Sequence, residues 1–289
     1  PLYSLSTLLA KYRTLIKEDM DRDYAYQMLI RACVELVSRE APKWEFIAAR
    51  FLSWQIDQSV DARMEQLDIH CFYDKLRYLT NEGLYGAYIL EHYTRAQIEE
   101  LEAYLDPSRD QLFTYSGLDL LAQRYLIRDH AHHLLEKTQE MFMGIAMHLS
   151  MEETQKVRRA KELYDVLSTL KVTMATPTMS NARKPFHQMS SCFIDTVPDS
   201  LSGIYRSVDS FARVSKFGGG MGLYFGKVRA SGSEIRGYKG AAGGVIRWIR
   251  LVNDTAVAVD QLGVRSGAAA VYLDAWHRDL LEFLQLRTN

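Results

Sequence analysis

The sequence has few cysteines, no long apolar run and almost no net charge, and each shortage excludes a class of protein. Its three cysteines, Cys33, Cys71 and Cys192, show no CxxC spacing, which argues against a disulfide scaffold or a structural zinc site. Because 35 basic side chains oppose 36 acidic ones, no overall positive field attracts nucleic acid. The sequence contains no apolar run of about 18 residues and no cleavable signal, so we expect a cytoplasmic protein without a membrane partner.

Length and apolar content are what the chain does have. Its 289 residues, 47% of them hydrophobic, can bury a substantial core in more than one folding unit. Residues 1–171 show helical spacing with few glycines, which predicts a helical domain. In residues 24–37 apolar side chains recur every three or four positions, and Pro42 follows. Cys33 lies on that stripe, so we expect it to be buried as a small apolar side chain.

Two segments of the helical half contain residue types that can bind metals, yet both favour simpler interpretations. The histidines His130, His132 and His133 follow Asp129 and lack another ligand at site-forming spacing, so a solvated loop is predicted. The methionines in residues 141–147 have helical spacing, which predicts a packed helix face. No metal site is therefore expected.

The composition changes after Thr176-Pro177-Thr178, where most glycines and the β-rich segments begin. We place the boundary between the first domain, residues 1–175, and the second, residues 176–289, at this point. The second domain follows a βαβαβ order, which predicts parallel strands covered by helices. Its predicted strands and helices are, in order, residues 191–196, 200–216, 222–228, 244–261, 268–273 and 278–286.

A glycine loop at residues 217–222 joins a predicted helix to a predicted strand. Dinucleotide and Walker-type phosphate loops run from strand to helix, and neither spacing fits these residues. The glycines either allow close approach to a ligand or form a tight connector. In the following loop, Arg229 and Arg236 carry the planar charged groups that suit phosphate oxygens, although composition alone favours a solvated basic loop.

Asp199 and the two predicted helices of this domain have two interpretations each. Asp199 precedes the helix predicted at 200–216 and could act only as its N-cap. That helix and the one predicted at 244–261 each present an apolar stripe. The stripes either cover the sheet of the same subunit or pair two subunits in a homodimer.

Several motifs occur along the second half of the chain in a fixed order. They are Ala175-Thr176-Pro177-Thr178-Met179-Ser180, Gln188-Met189-Ser190-Ser191-Cys192, Asp199-Ser200-Leu201, Gly218 to Gly222, Arg229 to Gly237, Asp260 to Ala268, and Trp276-His277. In this order and approximate spacing the chain resembles ribonucleotide reductase large subunits, most clearly from about residue 112 onward. The resemblance implies an α/β fold with a helical N-terminal domain followed by the first part of a ten-stranded α/β barrel.

The resemblance also implies a chemistry. In this family a cysteine thiyl radical abstracts the 3′ hydrogen of a ribonucleotide, and the 2′ hydroxyl leaves as water. Two further cysteines supply the electrons and become a disulfide. Cys192 matches the first of that reducing pair. The thiyl cysteine and the second reducing cysteine have no counterpart in this sequence, so the chain alone is expected to be inactive.

Two binding sites follow from the same resemblance. Asp199, Arg229 and Arg236 match the site of a specificity effector, a deoxynucleoside triphosphate or ATP, at the interface of a large-subunit homodimer. There the carboxylate accepts a hydrogen bond from a ribose hydroxyl and the arginines bind the phosphates. Residues 261–267 are expected to transmit effector identity to substrate choice. The positions that match the surroundings of a ribonucleoside diphosphate substrate are Thr176, Ser191, Cys192, Gly220 and Arg265.

The implied partners lie outside the chain. They are a separate, metal-containing small subunit that generates the radical, and thioredoxin or glutaredoxin as reductant, while this chain itself is expected to hold no cofactor. Its amino terminus contains at most the tail of the ATP-binding cone that many members carry. Two alternatives stay open: an adenosylcobalamin-dependent reductase, and a module that only binds nucleotides and dimerises.

Overall fold

The computed structural model describes residues 2–17, 19–259 and 266–287, and the chain divides into two compact units. The helical unit contains Pro1–Met174 and Thr178–His187, and the sheet unit contains Ala175–Pro177 and Gln188–Asn289. The helical unit has α1 (Leu5–Arg13), α2 (Arg22–Glu35), α3 (Trp44–Gln66), α4 (Phe72–Asn81), α5 (Tyr88–His92), α6 (Arg95–Glu102), a 3₁₀-helix (Pro107–Leu112), α7 (Tyr115–Arg124), α8 (Thr138–Ser150) and α9 (Lys156–Ser168), and α10 (Thr176–Asn181) contains residues of both units.

Side-chain caps determine where several of these helices begin. Ser4, Asp21, Thr94 and Thr114 each accept a hydrogen bond from a backbone N–H of the first helical turn. Such bonds satisfy amides that have no partner within the helix. The prediction of a helical first half is confirmed.

The stripe predicted in residues 24–37 does face the core. Its helix, α2, begins earlier than the stripe, at Arg22, because Asp21 caps it. Cys33 is fully buried in a cluster with Ile30, Trp44 and Ala48, as expected for a small apolar side chain. Burial raises the pKa of its thiol to about 11, so it carries no thiolate near neutral pH.

The methionines of residues 141–147 lie in a packed helix face and the histidines of residues 130–133 lie in a solvated turn, as the sequence predicts. Met141, Met143 and Met147 lie on α8 and are fully buried. The side chains of His130, His132 and His133 are all exposed, on a turn that Asp129 stabilises with hydrogen bonds to backbone amides. Both predictions are confirmed.

The largest fully buried side chain in the described residues is Arg183, and it is paired. Its Nε and Nη2 donate to the two carboxylate oxygens of Glu136 at 2.7 and 2.6 Å. The other Glu136 partners are the Tyr85 hydroxyl and the Ile127 amide, and Arg183 also donates to two backbone carbonyls. Two charges can stay buried here because they pair with each other and each makes four hydrogen bonds.

The sheet unit is built on parallel strands, as predicted. Its elements are β1 (Cys192–Thr196), α11 (Leu201–Lys216), β2 (Gly220–Tyr224), α12 (Val245–Ala258), β3 (Ala268–Tyr272) and α13 (Leu280–Leu284). The strands pair in the order β1-β2-β3, and Cys192, Gly220 and Ala268 are aligned across them. Within the described residues this sheet does not close into a barrel.

Three successive glycines, Gly218 to Gly220, follow α11 and have different functions. The amides of Gly218 and Gly219 donate to the carbonyls of Ser215 and Val214, which is a Schellman cap, and Gly218 has the positive φ of 77° that this cap requires. A Cβ on Gly219 would lie 2.6 Å from the Val214 side chain. Gly220 already belongs to β2, so the glycine run is a tight connector.

The strand predicted at 222–228 is displaced by two residues at its start. β2 starts at Gly220 because the Gly220 amide donates to the Ser191 carbonyl at 2.8 Å, which sets the pairing with β1. It ends at Tyr224, and a turn closed by the Val228 amide on the Phe225 carbonyl follows. Local sequence places strand ends poorly because pairing with a distant strand decides them.

The apolar stripes of α11 and α12 cover the sheet of their own unit. Ile204 and Phe211 of α11, and Ile249 and Val252 of α12, are buried in one cluster. Of the two interpretations, burial within one subunit therefore accounts for these side chains. Leu201, on the α11 stripe, is instead 67% exposed.

Replacing Glu136 with glutamine should destabilise the helical unit strongly, since the buried guanidinium of Arg183 would lose its counter-charge. We expect a loss of about 3–5 kcal/mol in the free energy of unfolding, measured by urea denaturation. As a control, Glu162→Gln removes exposed ion pairs with Arg158 and Arg159 and should change little. Equal effects of the two substitutions would contradict the role assigned to the buried pair.

Acidification should weaken the helical unit partly through His148. Burial first, and the nearby His187 second, lower the pKa of His148 to about 4, below its ordinary value of about 6.5. Between those pH values the unfolded chain binds a proton that the folded chain does not, so stability is complete above about pH 6.5 and is lost as pH falls through 4.

The His148→Gln variant should lack this component. The difference between wild type and variant in free energy of unfolding should fall with decreasing pH, at most by about 1.4 kcal/mol per pH unit. Urea denaturation at several pH values measures it. A difference that stays constant from about pH 7 to about pH 4 would contradict the prediction.

Candidate functional site

One face of the sheet is covered by helices and the other is open. Along each strand alternate side chains point to opposite faces. Met221 and Leu223 of β2 point into the core with α11 and α12. The alternate residues are uncovered in the described chain, and Ile194 of β1 is 87% exposed while Tyr272 of β3 is 57% exposed.

Cys192 lies at the start of β1 on this open face. Its thiol is exposed, and its sulfur lies 3.5 Å from the Ser191 hydroxyl. The residues aligned with it on the neighbouring strands are Gly220 and Ala268, which have little or no side chain. The next row on this face contains Ile194, Gly222 and Ala270, and the Tyr272 ring lies beside Gly222. The glycine and alanine of the first row are therefore what leaves room for a ligand to approach the sulfur.

The predicted substrate positions are brought together only in part. Ser191, Cys192 and Gly220 meet at the first row of the sheet, linked by the hydrogen bond between the Gly220 amide and the Ser191 carbonyl. Thr176 is the first residue of α10. Arg265 and most of the loop 261–267 lie outside the described residues. The substrate-binding roles of all five residues stay predictions.

The structure pairs two of the three predicted effector residues. The Nε and the backbone amide of Arg229 donate to the two carboxylate oxygens of Asp199, at 2.8 and 3.2 Å, and the Arg229 Nη1 donates to the Glu234 carbonyl at 2.8 Å. The charged pair is about one-third exposed, so it can be reached by a ligand. Each oxygen of Asp199 still has a lone pair for a hydroxyl donor.

Asp199 is not the helix cap that its position allows. The N-cap of α11 is Ser200, whose hydroxyl accepts from the Gly203 amide at 3.2 Å. Since the neighbouring residue caps the helix, the Asp199 carboxylate is directed to Arg229. This contact joins residues 30 positions apart, so the local sequence did not reveal it.

Arg236 occupies a tight turn further along the same loop. Ile235 and Tyr238 exchange two backbone hydrogen bonds, and Arg236 and Gly237 between them have φ values of 49° and 85°. This is the geometry of a type I′ turn. Within the described residues no hydrogen bond links Arg236 to Asp199 or Arg229, and its side chain is exposed at the turn.

Sequence reasoning missed two residues that organise this loop. The Asp279 carboxylate, only 6% exposed, accepts hydrogen bonds from the amides of Ser231 and Val245. The His277 Nε2 lies 2.9 Å from the Val228 carbonyl. The sequence placed Asp279 inside the helix predicted at 278–286, but α13 begins at Leu280 and Asp279 makes no side-chain cap to it. His277 was noticed only as part of a family motif.

The described residues contain no cluster of three or more His, Cys, Asp or Glu side chains that could hold a metal ion. In the same residues, no helix combines the length and the apolar character that crossing a bilayer requires.

Comparisons with known proteins agree with the two units. Residues 111–187 match the family described as the all-alpha domain of ribonucleotide reductase, and residues 190–289 match its barrel domain. A ribonucleoside-diphosphate reductase subunit alpha from Treponema pallidum is 62% identical over the whole chain, which covers 34% of that protein. A second, from Helicobacter pylori J99, is 38% identical over 99% of the chain and 36% of its own length.

More distant relatives extend the same pattern. The ribonucleoside-diphosphate reductase 1 subunit alpha of Escherichia coli K12 is 28% identical over 91% of the chain and 35% of its own length. The chain thus spans about a third of the length of these curated relatives. Both domain matches lie in the expected order, the all-alpha domain first and the barrel domain second. The chain belongs to the ribonucleotide reductase large-subunit family.

Proposed function

We propose that this chain takes part in the reduction of ribonucleoside diphosphates to deoxyribonucleotides, with Cys192 as one of the two cysteines that supply electrons. The observation that carries the proposal is the exposed Cys192 thiol on the open face of the sheet, beside a row of glycine and alanine. The other two cysteines fit less well, because Cys33 is buried and Cys71, at the N-cap position of α4 in the helical unit, donates its thiol proton to the Asp74 carboxylate.

The proposed reaction balances with two thiols. Removal of the 2′ hydroxyl as water takes two electrons and two protons, and two cysteine thiols provide both as they form a disulfide. Cys192 supplies one thiol. The second reducing cysteine and the thiyl cysteine are residues that this sequence does not contain, so we expect the chain alone to bind nucleotides without turnover.

Substrate phosphates and hydroxyls would meet the first row of the sheet. The Ser191 hydroxyl and the backbone around Thr176 and Gly220 offer hydrogen-bonding groups, and Arg265 adds a permanent charge. We propose a separate, metal-containing small subunit as the radical source, and thioredoxin or glutaredoxin as the reductant of the disulfide. The relatives are named alpha subunits, which favours a partner subunit over the adenosylcobalamin-dependent alternative.

In a reductase subunit that carries this chain, Cys192→Ser should abolish multiple turnover with dithiol reductants while effector binding is retained. Serine cannot be oxidised to a disulfide, so the electrons have no donor. Cys71→Ser is the matched control and should keep its activity, because serine is a favoured N-cap and Cys71 occupies the N-cap of α4. Normal turnover by the Cys192 variant would refute the assignment.

We further propose that Asp199, Arg229 and Arg236 bind a deoxynucleoside triphosphate or ATP as a specificity effector. The paired Asp199 and Arg229 support this, since a carboxylate that can accept from a ribose hydroxyl lies beside a guanidinium that can bind phosphate. Arg236, exposed on its type I′ turn, offers a second cation. The loop 261–267 would carry effector identity to substrate choice.

The same proposal places the effector at a homodimer interface. Exposed apolar side chains of α11 and α12 are available for it, namely Leu201, Tyr205 and Val257. A ligand that contacts both subunits favours the dimer, and dimerisation raises its affinity by the same factor.

Titration of the 289-residue chain with dTTP, followed by calorimetry and sedimentation, tests this site. We expect binding that promotes dimerisation, and Arg229→Ala should weaken it about tenfold to a hundredfold because a charge-assisted contact is lost. Arg158→Ala removes the same charge from an exposed position on α9 and should leave binding unchanged. Association that does not depend on nucleotide, with equal dTTP affinity in both proteins, would refute the site.

A further inference from the structure

A buried carboxylate connects the loop that carries Arg229 to the start of α12. Asp279 is 6% exposed, and each of its oxygens accepts from the Ser231 amide, at 2.9 and 3.1 Å. Its Oδ2 also accepts from the Val245 amide at 3.0 Å, the first residue of α12. One side chain therefore joins segments that are 48 and 34 residues away along the chain.

The backbone around this carboxylate is shaped to receive it. Gly244, the N-cap residue of α12, has a φ of 74°. A Cβ at this position would lie 2.5 Å from the Asp279 Oδ2 and 2.9 Å from the Ser231 nitrogen. Only glycine permits both the positive φ and the close approach. The capping oxygen of α12 thus comes from a distant residue instead of from Gly244, which has no side chain.

His277 holds the other side of Arg229. Its Nδ1 accepts from the Asp279 amide at 3.1 Å, so the ring proton is on Nε2, which donates to the Val228 carbonyl at 2.9 Å. Val228 immediately precedes Arg229, and Ser231 follows it by two positions. The segment around Arg229 is therefore tied on both sides to residues 277–279.

We propose that Asp279 and His277 are positioning residues of the effector site, acting by fixing the backbone that presents Arg229 to phosphate. This inference rests on the proposed function of that site. The Arg229 amide and guanidinium contact Asp199, so a displaced backbone would disrupt the ribose-binding carboxylate as well. These contacts of the Asp279 carboxylate with Ser231 and Val245, the Asp279 clamp, also couple the loop that carries Arg229 to α12, the helix that precedes residues 261–267 in the chain.

Asp279→Asn is the test substitution because it preserves the shape of the side chain. It replaces one acceptor oxygen with an NH₂ group, which is a donor and cannot accept hydrogen bonds from the backbone amides. In the 289-residue chain the affinity for dTTP should fall roughly tenfold. Gly244→Ala should act in the same direction by displacing the carboxylate. Its matched control is Gly240→Ala, which brings the same backbone strain at a φ of 79° but places no atom within 4 Å of the added Cβ, so its loss of dTTP affinity should be smaller than that of Gly244→Ala.

A double-mutant cycle distinguishes positioning from general destabilisation. If Asp279 acts through Arg229, Asp279→Asn should cost little further dTTP affinity in an Arg229→Ala background. If Asp279→Asn only destabilised the unit, independently of Arg229, the fold-losses in dTTP affinity of the two single variants would multiply in the double variant. Amide hydrogen exchange supplies a measurement without nucleotide: Asp279→Asn should raise exchange at Ser231 and Val245 while the buried Phe211 amide stays protected, which shows that the unit is folded.

The possible results separate the proposed effector site from the positioning role of Asp279. A wild-type chain that binds no nucleoside triphosphate overturns the proposed effector site and this inference with it. Wild-type binding with unchanged affinity in Asp279→Asn and Gly244→Ala overturns the inference alone, as do fully multiplicative losses in the cycle. If Asp279→Asn unfolds the unit, Gly244→Ala and Gly240→Ala provide the same comparison.

Discussion

The register of the parallel sheet is the constraint on which the rest of the sheet unit depends. Because side chains alternate along a strand, the pairing that packs Phe193 against the buried cluster of α11 and α12 directs Cys192 to the open face. A shift by one residue would exchange the two and bury the thiol. The same register aligns Gly220 with Cys192, so the space beside the sulfur follows from backbone hydrogen bonding.

Two buried carboxylates, one in each unit, hold separate segments of the chain together. Glu136 in the helical unit and Asp279 in the sheet unit each collect hydrogen bonds from distant segments. Burying a charge is expensive unless every lone pair finds a donor, so such a residue tolerates few alternative arrangements of its surroundings. Each carboxylate thereby fixes local geometry: Glu136 fixes Arg183, and Asp279 fixes the loop that presents Arg229.

The helices α11 and α12 connect the first row of the sheet with the loop that carries Arg229. α11 begins beside Asp199 and ends in the glycine cap before Gly220, so one helix connects the two regions of the sheet unit. α12 begins at the Asp279 clamp and packs on the sheet through Ile249 and Val252. Rigid elements between the two proposed ligand sites would give a physical route by which one site influences the other.

Sequence alone determined the features that depend on local periodicity. The helical half, the burial of Cys33, the exposed histidine turn and the order of parallel strands and helices all follow from spacing and turn residues, and the structure confirms them. The family, too, was recognisable from motifs, and matches to its two domains confirm it. The roles of Cys192 and the binding residues came from that resemblance and stay predictions.

Tertiary structure decided what depends on partners far apart in the chain. Three features depend on contacts between segments about 28 to 48 residues apart. They are the start of β2 at Gly220, which pairs with Cys192, the contact of Asp199 with Arg229, and the contact of the buried Asp279 with Ser231. No local pattern encodes such contacts, because a hydrogen-bonding side chain near a helix start can cap that helix or reach another segment equally well. Only the packing of the whole unit selects between them.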